Sequence, residues 1–391
     1  MKKAKKIIIP IVAVILSIAI LFGTILILIV GGLYGSIWFI FFDTGNYKRY
    51  KNEPIREIEA NDSRVYFVTE DGDGYFFGGY SCSLDVKYIN NENRNNNRLG
   101  APYPLRFYDG EITYIYPYAY VNCLFITEDG DLHLMYDTSI TEIAQNVSLA
   151  SCLSDSRICY VTVDGTLKVV DNDSHVTLIE SGVRDARIFE DDVYVLWDNG
   201  NLDKYVWEGN ECTFSENILD DVQKIDADLT YDGTNYNEKC IILNVLQNDC
   251  ELYAKGAYGL CNQDETYKYG DLETERYKDL TLIGEGVVDF SLANSGTIMQ
   301  LSDGNAKYVG YDTGRYYEKT ANFGEQKIDI ANLKTACVFE RMIFCIDENN
   351  LMYLWGGYGN EFYSPLGKGN GYDIFVDPPI TVDFGKKEIK Y

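Results

Sequence analysis

The chain has 391 residues, and its 60 aspartates and glutamates outnumber its 34 lysines and arginines, so its formal net charge at pH 7 is −26. A chain this acidic is repelled by phosphate backbones, and no basic stripe interrupts its body, which argues against a nucleic-acid partner. Only two histidines, His133 and His175, are present. Their scarcity argues against histidine-based catalysis and against metal sites built from several histidines.

The first predicted element is a membrane anchor. Residues 1–6 form a basic cap with four lysines, and residues 7–42 contain no charged residue. This run exceeds the about 20 residues that span a bilayer and the core of a cleavable signal peptide, although the glycine-rich stretch 31–36 offers an alternative cleavage site. We predict one transmembrane helix and an aromatic interfacial segment within 7–42, followed by a linker at 43–54. The basic cap predicts a cell-membrane protein with a cytoplasmic N-terminus and an extracellular body.

From residue 55 onward the sequence indicates an all-β domain. Short runs rich in Val, Ile, Tyr and Phe alternate with Asp-Gly and Asn-Gly dipeptides, which favour tight turns between antiparallel strands. Seven such hairpins are predicted, each ending near a glycine or another break. They span residues 65–79, 123–135, 159–170, 194–206, 241–256, 297–310 and 342–357.

A further short strand is predicted before each hairpin. These strands span residues 55–60, 112–116, 147–153, 183–188, 222–227, 287–293 and 327–332. Repeated groups of this size are typical of a β-propeller, whose four-stranded blades stack around a central axis. The predicted fold class is all-β: a seven-bladed β-propeller at 55–391, preceded by one N-terminal transmembrane helix. Because residues 388–391 resemble residues 57–60, we also predict that the two ends of this domain share a blade.

The last repeat unit carries the most specific motif. A Trp-Gly pair ends its hairpin, a Leu-Gly-x-Gly motif follows, and two prolines precede the next run, while the first unit keeps Phe-Gly and Leu-Gly at corresponding places. The motif residues are Phe77, Gly78, Leu99 and Gly100 in the first unit, and Trp355, Gly356, Leu366, Gly367 and Gly369 in the last. This order resembles the regulator of chromosome condensation repeat, a seven-bladed β-propeller family, with kelch repeats as the nearest rival.

The resemblance implies a structural role for the motif residues. It identifies the chain as a divergent, membrane-anchored, bacterial-type member of that family. Nucleotide exchange on a small GTPase, which is known in the family, is not carried over, because no exchange-loop residue can be matched in this sequence.

Two segments, Thr69–Asp73 and Thr127–Asp131, share the sequence TEDGD, which looks like a fragment of a calcium-binding loop. Calcium needs six to eight oxygen ligands, usually including a later bidentate glutamate, and neither segment supplies one at the required place. Other units keep the turn without the second acid. We therefore predict turns and no metal site.

The chain contains ten cysteines, which could form disulfides in an exported domain. Cys152 and Cys159, and likewise Cys337 and Cys345, recur at comparable places and are candidate disulfide pairs. The alternative is that they are free thiols, because most of the cysteines lie within apolar strand runs as small hydrophobic residues.

Tyr114, Tyr116, Tyr118 and Tyr120 alternate along one predicted strand, so their side chains share a face. This face either packs against the neighbouring blade or forms a wall on which a ligand stacks.

No nucleophile elbow, phosphate-binding loop or histidine-containing triad is present in the sequence. We therefore predict a non-catalytic, membrane-anchored surface propeller, monomeric and without cofactor, that binds a protein or glycan through its blade-connecting loops. The alternative is an exported propeller enzyme, a polysaccharide lyase or glycosidase, which would place clustered carboxylates with raised pKa values at the axis. A third hypothesis is a sensor whose propeller reports across the membrane.

Overall fold

The structure is a computed structural model. It describes residues 50, 53–61, 64–78, 101–118, 122–136, 139–152, 157–171, 174–208, 211–232, 235–256, 258, 277–311, 323–328, 330, 332–339, 342–358 and 374–382. The chain divides into two compact units, Met1–Lys48 and Arg49–Tyr391, and all described residues belong to the second. The predicted anchor at 7–42 lies outside them. Within the described residues, no helix has the length and hydropathy to cross a membrane.

The second unit is built from seven four-stranded antiparallel sheets, each formed by four consecutive strands. Blade 1 contains β1 (Ile55–Ala60), β2 (Arg64–Thr69), β3 (Gly74–Gly78) and β4 (Ala101–Tyr108), and blade 2 contains β5 (Ile112–Tyr118), β6 (Asn122–Thr127), β7 (Leu132–Tyr136) and β8 (Ser139–Ala144). Blade 3 contains β9 (Val147–Ser151), β10 (Ile158–Thr162), β11 (Leu167–Asp171) and β12 (Ser174–Ile179), and blade 4 contains β13 (Val183–Phe189), β14 (Asp192–Trp197), β15 (Leu202–Glu208) and β16 (Glu211–Leu219). Blade 5 contains β17 (Val222–Asp232), β18 (Asn235–Gln247), β19 (Glu251–Gly256) and β20 (Tyr277–Glu285), and blade 6 contains β21 (Val287–Ala293), β22 (Gly296–Leu301), β23 (Ala306–Tyr311) and β24 (Phe323–Ile328). Blade 7 contains β25 (Leu333–Phe339), β26 (Met342–Asp347), β27 (Met352–Tyr358) and β28 (Ile374–Val382).

The first strand of every blade lies next to the first strands of both neighbouring blades, and β25 of blade 7 contacts β1 of blade 1. The seven first strands therefore surround a common axis and the ring is closed, which confirms the predicted seven-bladed β-propeller.

One predicted first strand is wrong. The segment 327–332 does not form the inner strand of blade 7, because Lys327 and Ile328 end β24 and the inner strand begins at Leu333. Leu333 is the buried aliphatic residue that opens this strand, as Val287 opens the first strand of blade 6.

Apolar side chains from adjacent blades share core clusters around the ring. One cluster joins blade 1 to blade 7 and contains Ile58, Phe67 and Phe77 together with Met342 and Phe344. No blade can bury both of its faces alone, so this packing between blades supplies the core. The predicted sharing of one blade by both chain ends stays a prediction, because residues 388–391 lie outside the described residues. All four strands described in blade 1 come from residues 55–108.

The candidate disulfide pairs are not formed in the structure, where Cys152, Cys159, Cys337 and Cys345 are buried thiols. Cys152 packs between blades 2 and 3, whereas Cys159 packs between blades 3 and 4. Cys337 and Cys345 likewise lie in two different clusters, on either side of blade 7. The two members of each pair thus point to opposite faces of one sheet, and a bridge cannot form through the sheet.

The TEDGD segments are the turns between the second and third strands of blades 1 and 2, as predicted. The N–H of Gly72 donates to the carbonyl of Thr69 at 2.9 Å, and the N–H of Thr69 donates to the carbonyl of Asp73 at 3.0 Å. Gly72 has a φ of 82°, which fits a three-residue hairpin loop whose last position is left-handed. A Cβ at Gly72 would also lie 2.7 Å from the Cα of Glu111, so this position requires glycine for two reasons.

These turns and the blade-to-blade connections lie on one side of the ring, here called the turn face. The turn of each of the first six blades accepts a hydrogen bond from the first N–H of the next blade's inner strand. The six donor–acceptor pairs are Ile112 to Gly72, Val147 to Gly130, Val183 to Gly165, Val222 to Gly200, Val287 to Cys250 and Leu333 to Gly304, at 2.8 to 3.2 Å. The opposite side, here called the loop face, carries the connections between first and second strands and between third and fourth strands.

Candidate functional site

The inner strands share a local irregularity that determines which side chains reach the axis. In all seven, the register with the second strand shifts between the first and third residue. Such a bulge re-aims the side chains that follow it. The third residues of the inner strands are Glu57, Tyr114, Leu149, Asp185, Lys224, Asp289 and Thr335, and the fifth are Glu59, Tyr116, Ser151, Arg187, Asp226, Ser291 and Cys337.

Arg187 of blade 4 is the most buried cation at the axis, with 4% of its side chain exposed. It forms an ion pair with Asp185 on its own strand, and its Nε lies 3.2 Å from Oδ1 of Asp226 in blade 5. Its Nη2 also donates to the carbonyl of Ile225 at 3.2 Å. Arg187 therefore joins two blades by charge-assisted hydrogen bonds.

Lys224 of blade 5 makes the equivalent contact to blade 6. Its Nζ lies 2.6 Å from Oδ1 of Asp289 and donates to the carbonyl of Phe290 at 2.9 Å. The same ammonium lies 4.9 Å from the centre of the Phe290 ring, within cation–π range. Asp185, Asp226 and Asp289 thus each contact a cation supplied by the axis itself.

The carboxylates of blade 1 lack a close cation. Arg56 reaches only to 3.9 Å from Glu57, and within the described part of the chain no donor or cation contacts Glu59. Burial raises the pKa of Glu57 to about 7, although Arg56 and Lys224 oppose the rise. Burial and the charge of Glu57 raise the pKa of Glu59 well above its ordinary value. The Glu57 side chain keeps 27% of its surface exposed, so solvent reaches the channel while protein surrounds it.

A third carboxyl group, Asp185, has its pKa raised to about 6, because burial outweighs the attraction of Arg187. The axis therefore combines clustered carboxyl groups of raised pKa, which the alternative enzymatic hypothesis expected, with two cations, which that hypothesis did not include. The alternation of polar and apolar residues in the inner strands, for example Glu57, Ile58 and Glu59, indicates which side chains face away from the core, but it does not indicate which of them meet at the axis.

The tyrosines of β5 have a mixed role. Tyr114, Tyr116 and Tyr118 pack against the cluster shared by blades 2 and 3, so the packing interpretation is confirmed for them. Burial raises the pKa of Tyr114 and Tyr116 well above the ordinary value, and the charge of Arg187 opposes the rise. The guanidinium carbon of Arg187 lies 5.8 Å from the centre of the Tyr116 ring. Tyr120 lies outside the described residues.

Four of the repeat-motif residues lie in strands that the structure describes. Phe77 is fully buried between blades 1 and 7, with its ring 6.5 Å from that of Phe344. Trp355 occupies the equivalent place in blade 7 and packs against the cluster shared with blade 6. Gly78 ends β3, and Gly356 lies within β27. The remaining motif residues, Leu99, Gly100, Leu366, Gly367 and Gly369, lie outside the described residues.

No group of three or more histidine, cysteine, aspartate or glutamate side chains within the described ranges is arranged to hold a metal ion. The axial cluster instead carries its own positive charges on Arg187 and Lys224. The arrangement can bind a polar partner group, and it offers carboxyl groups that change protonation near neutral pH.

No protein-family model matches the sequence, and no curated protein sequence matches it significantly. Solved structures of low sequence identity are similar in fold. Yeast RCC1 (Prp20), solved with Kap60 bound, has 12% identity and a TM-score of 0.52 over 74% of this chain and 80% of that chain. Prp20p from Saccharomyces cerevisiae has 10% identity and a TM-score of 0.49 over 72% and 79%. The WD40 propeller domain of Doa1 has 14% identity and a TM-score of 0.45 over 79% and 94%.

At these identities the similarity concerns the fold alone. Fold and topology together define the described chain as an all-β, seven-bladed β-propeller. Its structural neighbours include the RCC1 propeller of yeast.

Proposed function

We propose that this protein is a non-catalytic, membrane-anchored surface propeller that binds a protein partner through its loop face. We further propose that it is a divergent member of the regulator of chromosome condensation repeat family. A protein is favoured over a glycan because the RCC1 neighbour was solved with Kap60 bound, and Prp20p was studied for its binding to Gsp1p and histones. That support is an analogy of fold. The charge-free run at 7–42 supports the anchor.

The observation that carries the proposal is the uneven length of the connections on the loop face. In blades 2, 3 and 4 the third and fourth strands are joined by the short segments 137–138, 172–173 and 209–210. In blades 5, 6, 7 and 1 the corresponding segments are 257–276, 312–322, 359–373 and 79–100. These four blades are neighbours in the ring, so the long connections start from one continuous sector of one face. Long connections in a compact fold commonly serve binding.

Two experiments test this proposal. Labelling of intact cells with a membrane-impermeant reagent should reach the propeller of the full-length protein, and failure to label it would contradict the extracellular location. Proximity labelling from the full-length protein should then identify a partner. Its affinity should fall when residues 260–275 are replaced by a short Gly-Ser linker, and should not change when Glu128 and Asp129 on the turn face are replaced by alanine. Loss of binding only in the turn-face variant would contradict binding through the loop face.

The enzymatic alternative is kept because of one observation, the raised pKa values of Glu57 and Glu59. Both groups lie on β1 two positions apart, so they approach a ligand from the same side. Glycoside hydrolysis uses two carboxyl groups that flank the scissile bond. Glu57 and Glu59 do not flank a bond in this way, and the acids of the other inner strands, Asp185, Asp226 and Asp289, are each paired with Arg187 or Lys224. Incubation of the full chain with acidic and neutral polysaccharides should therefore release no product. Turnover that Glu59→Gln abolishes would replace the binding proposal with an enzymatic one.

A further inference from the structure

Six of the seven junctions between blades are crossed by the chain itself, and each also has the backbone hydrogen bond from an inner strand to the preceding turn. The junction between blades 7 and 1, here called the seam, is different. Its two sides are the turn of blade 7 at Asn350 and the start of β1 at Ile55, which lie at opposite ends of the domain sequence. The hydrogen bonds that close the ring at the seam include bonds between a side chain and backbone groups.

Asn350 takes the place that a backbone carbonyl has at the other junctions. Its Oδ1 accepts a hydrogen bond from the N–H of Ile55 at 2.7 Å. Its Nδ2 donates to the hydroxyl of Tyr50 at 3.0 Å and to the carbonyl of Glu53 at 3.1 Å. The amide can present its oxygen to Ile55 only while its nitrogen faces Tyr50 and Glu53. These two residues therefore set the orientation of the group that closes the ring.

The residues that hold the amide in this way, Tyr50 and Glu53, are together with Pro54 called the strap. It is fixed mainly to blade 1. The Tyr50 ring packs edge-on against Phe67 and Tyr75 at 5.1 and 5.4 Å between ring centres. The hydroxyl of Tyr75 donates to Glu53 at 3.2 Å, and the carbonyl of Pro54 accepts from the N–H of Glu70 at 2.8 Å. The strap thus contacts blade 1 on one side and the turn of blade 7 on the other.

The strap is also the only described segment between the propeller and the first 49 residues of the chain. We infer that it couples the preceding chain to closure of the ring, so that displacing Tyr50 and Glu53 opens the seam between blades 7 and 1. Displacement removes both acceptors of the Asn350 amide, which then no longer holds its oxygen toward Ile55. Two contacts across the seam then remain, the ion pair of Lys334 with Glu70 and the apolar cluster shared by blades 1 and 7. This device does not depend on which partner the loop face binds.

Hydrogen exchange measured by mass spectrometry on the full-length protein in detergent micelles tests the inference. The replacement Asn350→Ala removes three hydrogen bonds at the seam, and we expect exchange in β1 and β26 to rise by about tenfold to a hundredfold. Exchange in β13, β14 and β17, which lie at junctions with backbone closure, should change by less than about twofold.

Asn332→Ala is the matched control. Asn332 has a φ of 57° and Asn350 a φ of 63°, so both replacements carry the same left-handed backbone cost. The Asn332 side chain makes no hydrogen bond within the part of the chain that the structure describes. Tyr50→Phe is the milder variant, and it should raise exchange at the seam severalfold without unfolding the ring. Equal effects of Asn350→Ala and Asn332→Ala, or a rise in exchange spread evenly over all blades, would overturn the inference.

A four-residue Gly-Ser insertion tests the role of the strap itself. Placed between Lys51 and Asn52 it should raise exchange in β1 and β26, whereas the same insertion after Thr44 should not. If neither or both insertions open the seam, the strap does not act as proposed.

Discussion

Replacing Glu57 by glutamine tests whether the ionised carboxylate of Glu57 at the propeller axis lowers the free energy of unfolding. Burial raises the pKa of Glu57 from 4.5 to about 7. A carboxyl group with a higher pKa in the folded than in the unfolded chain contributes stability below 4.5, and this contribution is lost as the pH rises through about 7. The shift corresponds to about 3 kcal/mol. Solvent in the channel, which reaches 27% of the side chain, reduces the expected effect to about 2 kcal/mol.

The assay is urea denaturation of the full chain, followed by tryptophan fluorescence over a pH range from just above 4.5 to above 7. Glu57→Gln should match the natural protein at the acidic end and have the higher midpoint at the alkaline end, because glutamine carries no charge to bury. Glu211→Gln, at an exposed position of β16, is the control and should follow the natural protein throughout. If the curves for Glu57→Gln and the natural protein stay parallel across this range, Glu57 does not titrate as argued.

Three further comparisons test the turns and one half-buried ring. Gly165→Ala should cost about 1–3 kcal/mol more than Gly304→Ala in urea denaturation. Both residues are left-handed, but a Cβ at Gly165 would clash with the N of Gly182 at 2.7 Å, whereas a Cβ at Gly304 would lie 3.8 Å from the nearest backbone atom, an ordinary contact; equal costs would contradict this. Cys250→Gly should stabilise by about 0.5–1 kcal/mol by relieving a left-handed cysteine with a φ of 70°, and a lower midpoint would refute it. Burial lowers the pKa of His133, so protonation of this ring should cost stability as the pH falls below 6.5, and the midpoint of His133→Gln should rise relative to that of the natural protein over that range; a difference that does not change with pH would refute that assignment.

The hairpins could be predicted from the sequence because the turn signal is local. Asp-Gly and Asn-Gly dipeptides supply the left-handed residue of the turn, and Gly72, Gly130 and Gly200 all have φ values between 80° and 88°. The two turns without glycine, at Cys250 and Asn350, were still located by the apolar runs on either side. The boundary of β25 was missed because Ile328 and Ile330, which are both buried, alternate with polar residues in 327–332 as they would in an inner strand.

The axial cluster could not be predicted with the same certainty. In a chain with 60 acidic residues, no single carboxylate indicates a site. Arg187 and Asp226, and likewise Lys224 and Asp289, come together only because the bulged inner strands of successive blades lie side by side. Glu57 approaches the same channel from blade 1, which is distant from Lys224 in sequence. Such proximity is a property of ring closure, and a local pattern does not carry it.

The short connections of blades 2, 3 and 4 on the loop face have a practical consequence for engineering. Their ends are held by paired strands on both sides, so lengthening residues 137–138, 172–173 or 209–210 adds only loop-closure entropy, about 0.6 kcal/mol for each doubling of length. The same scaffold already carries longer segments at the equivalent places of four adjacent blades. Foreign peptides could therefore be displayed beside the sector that we propose for binding, on the same rim of the ring.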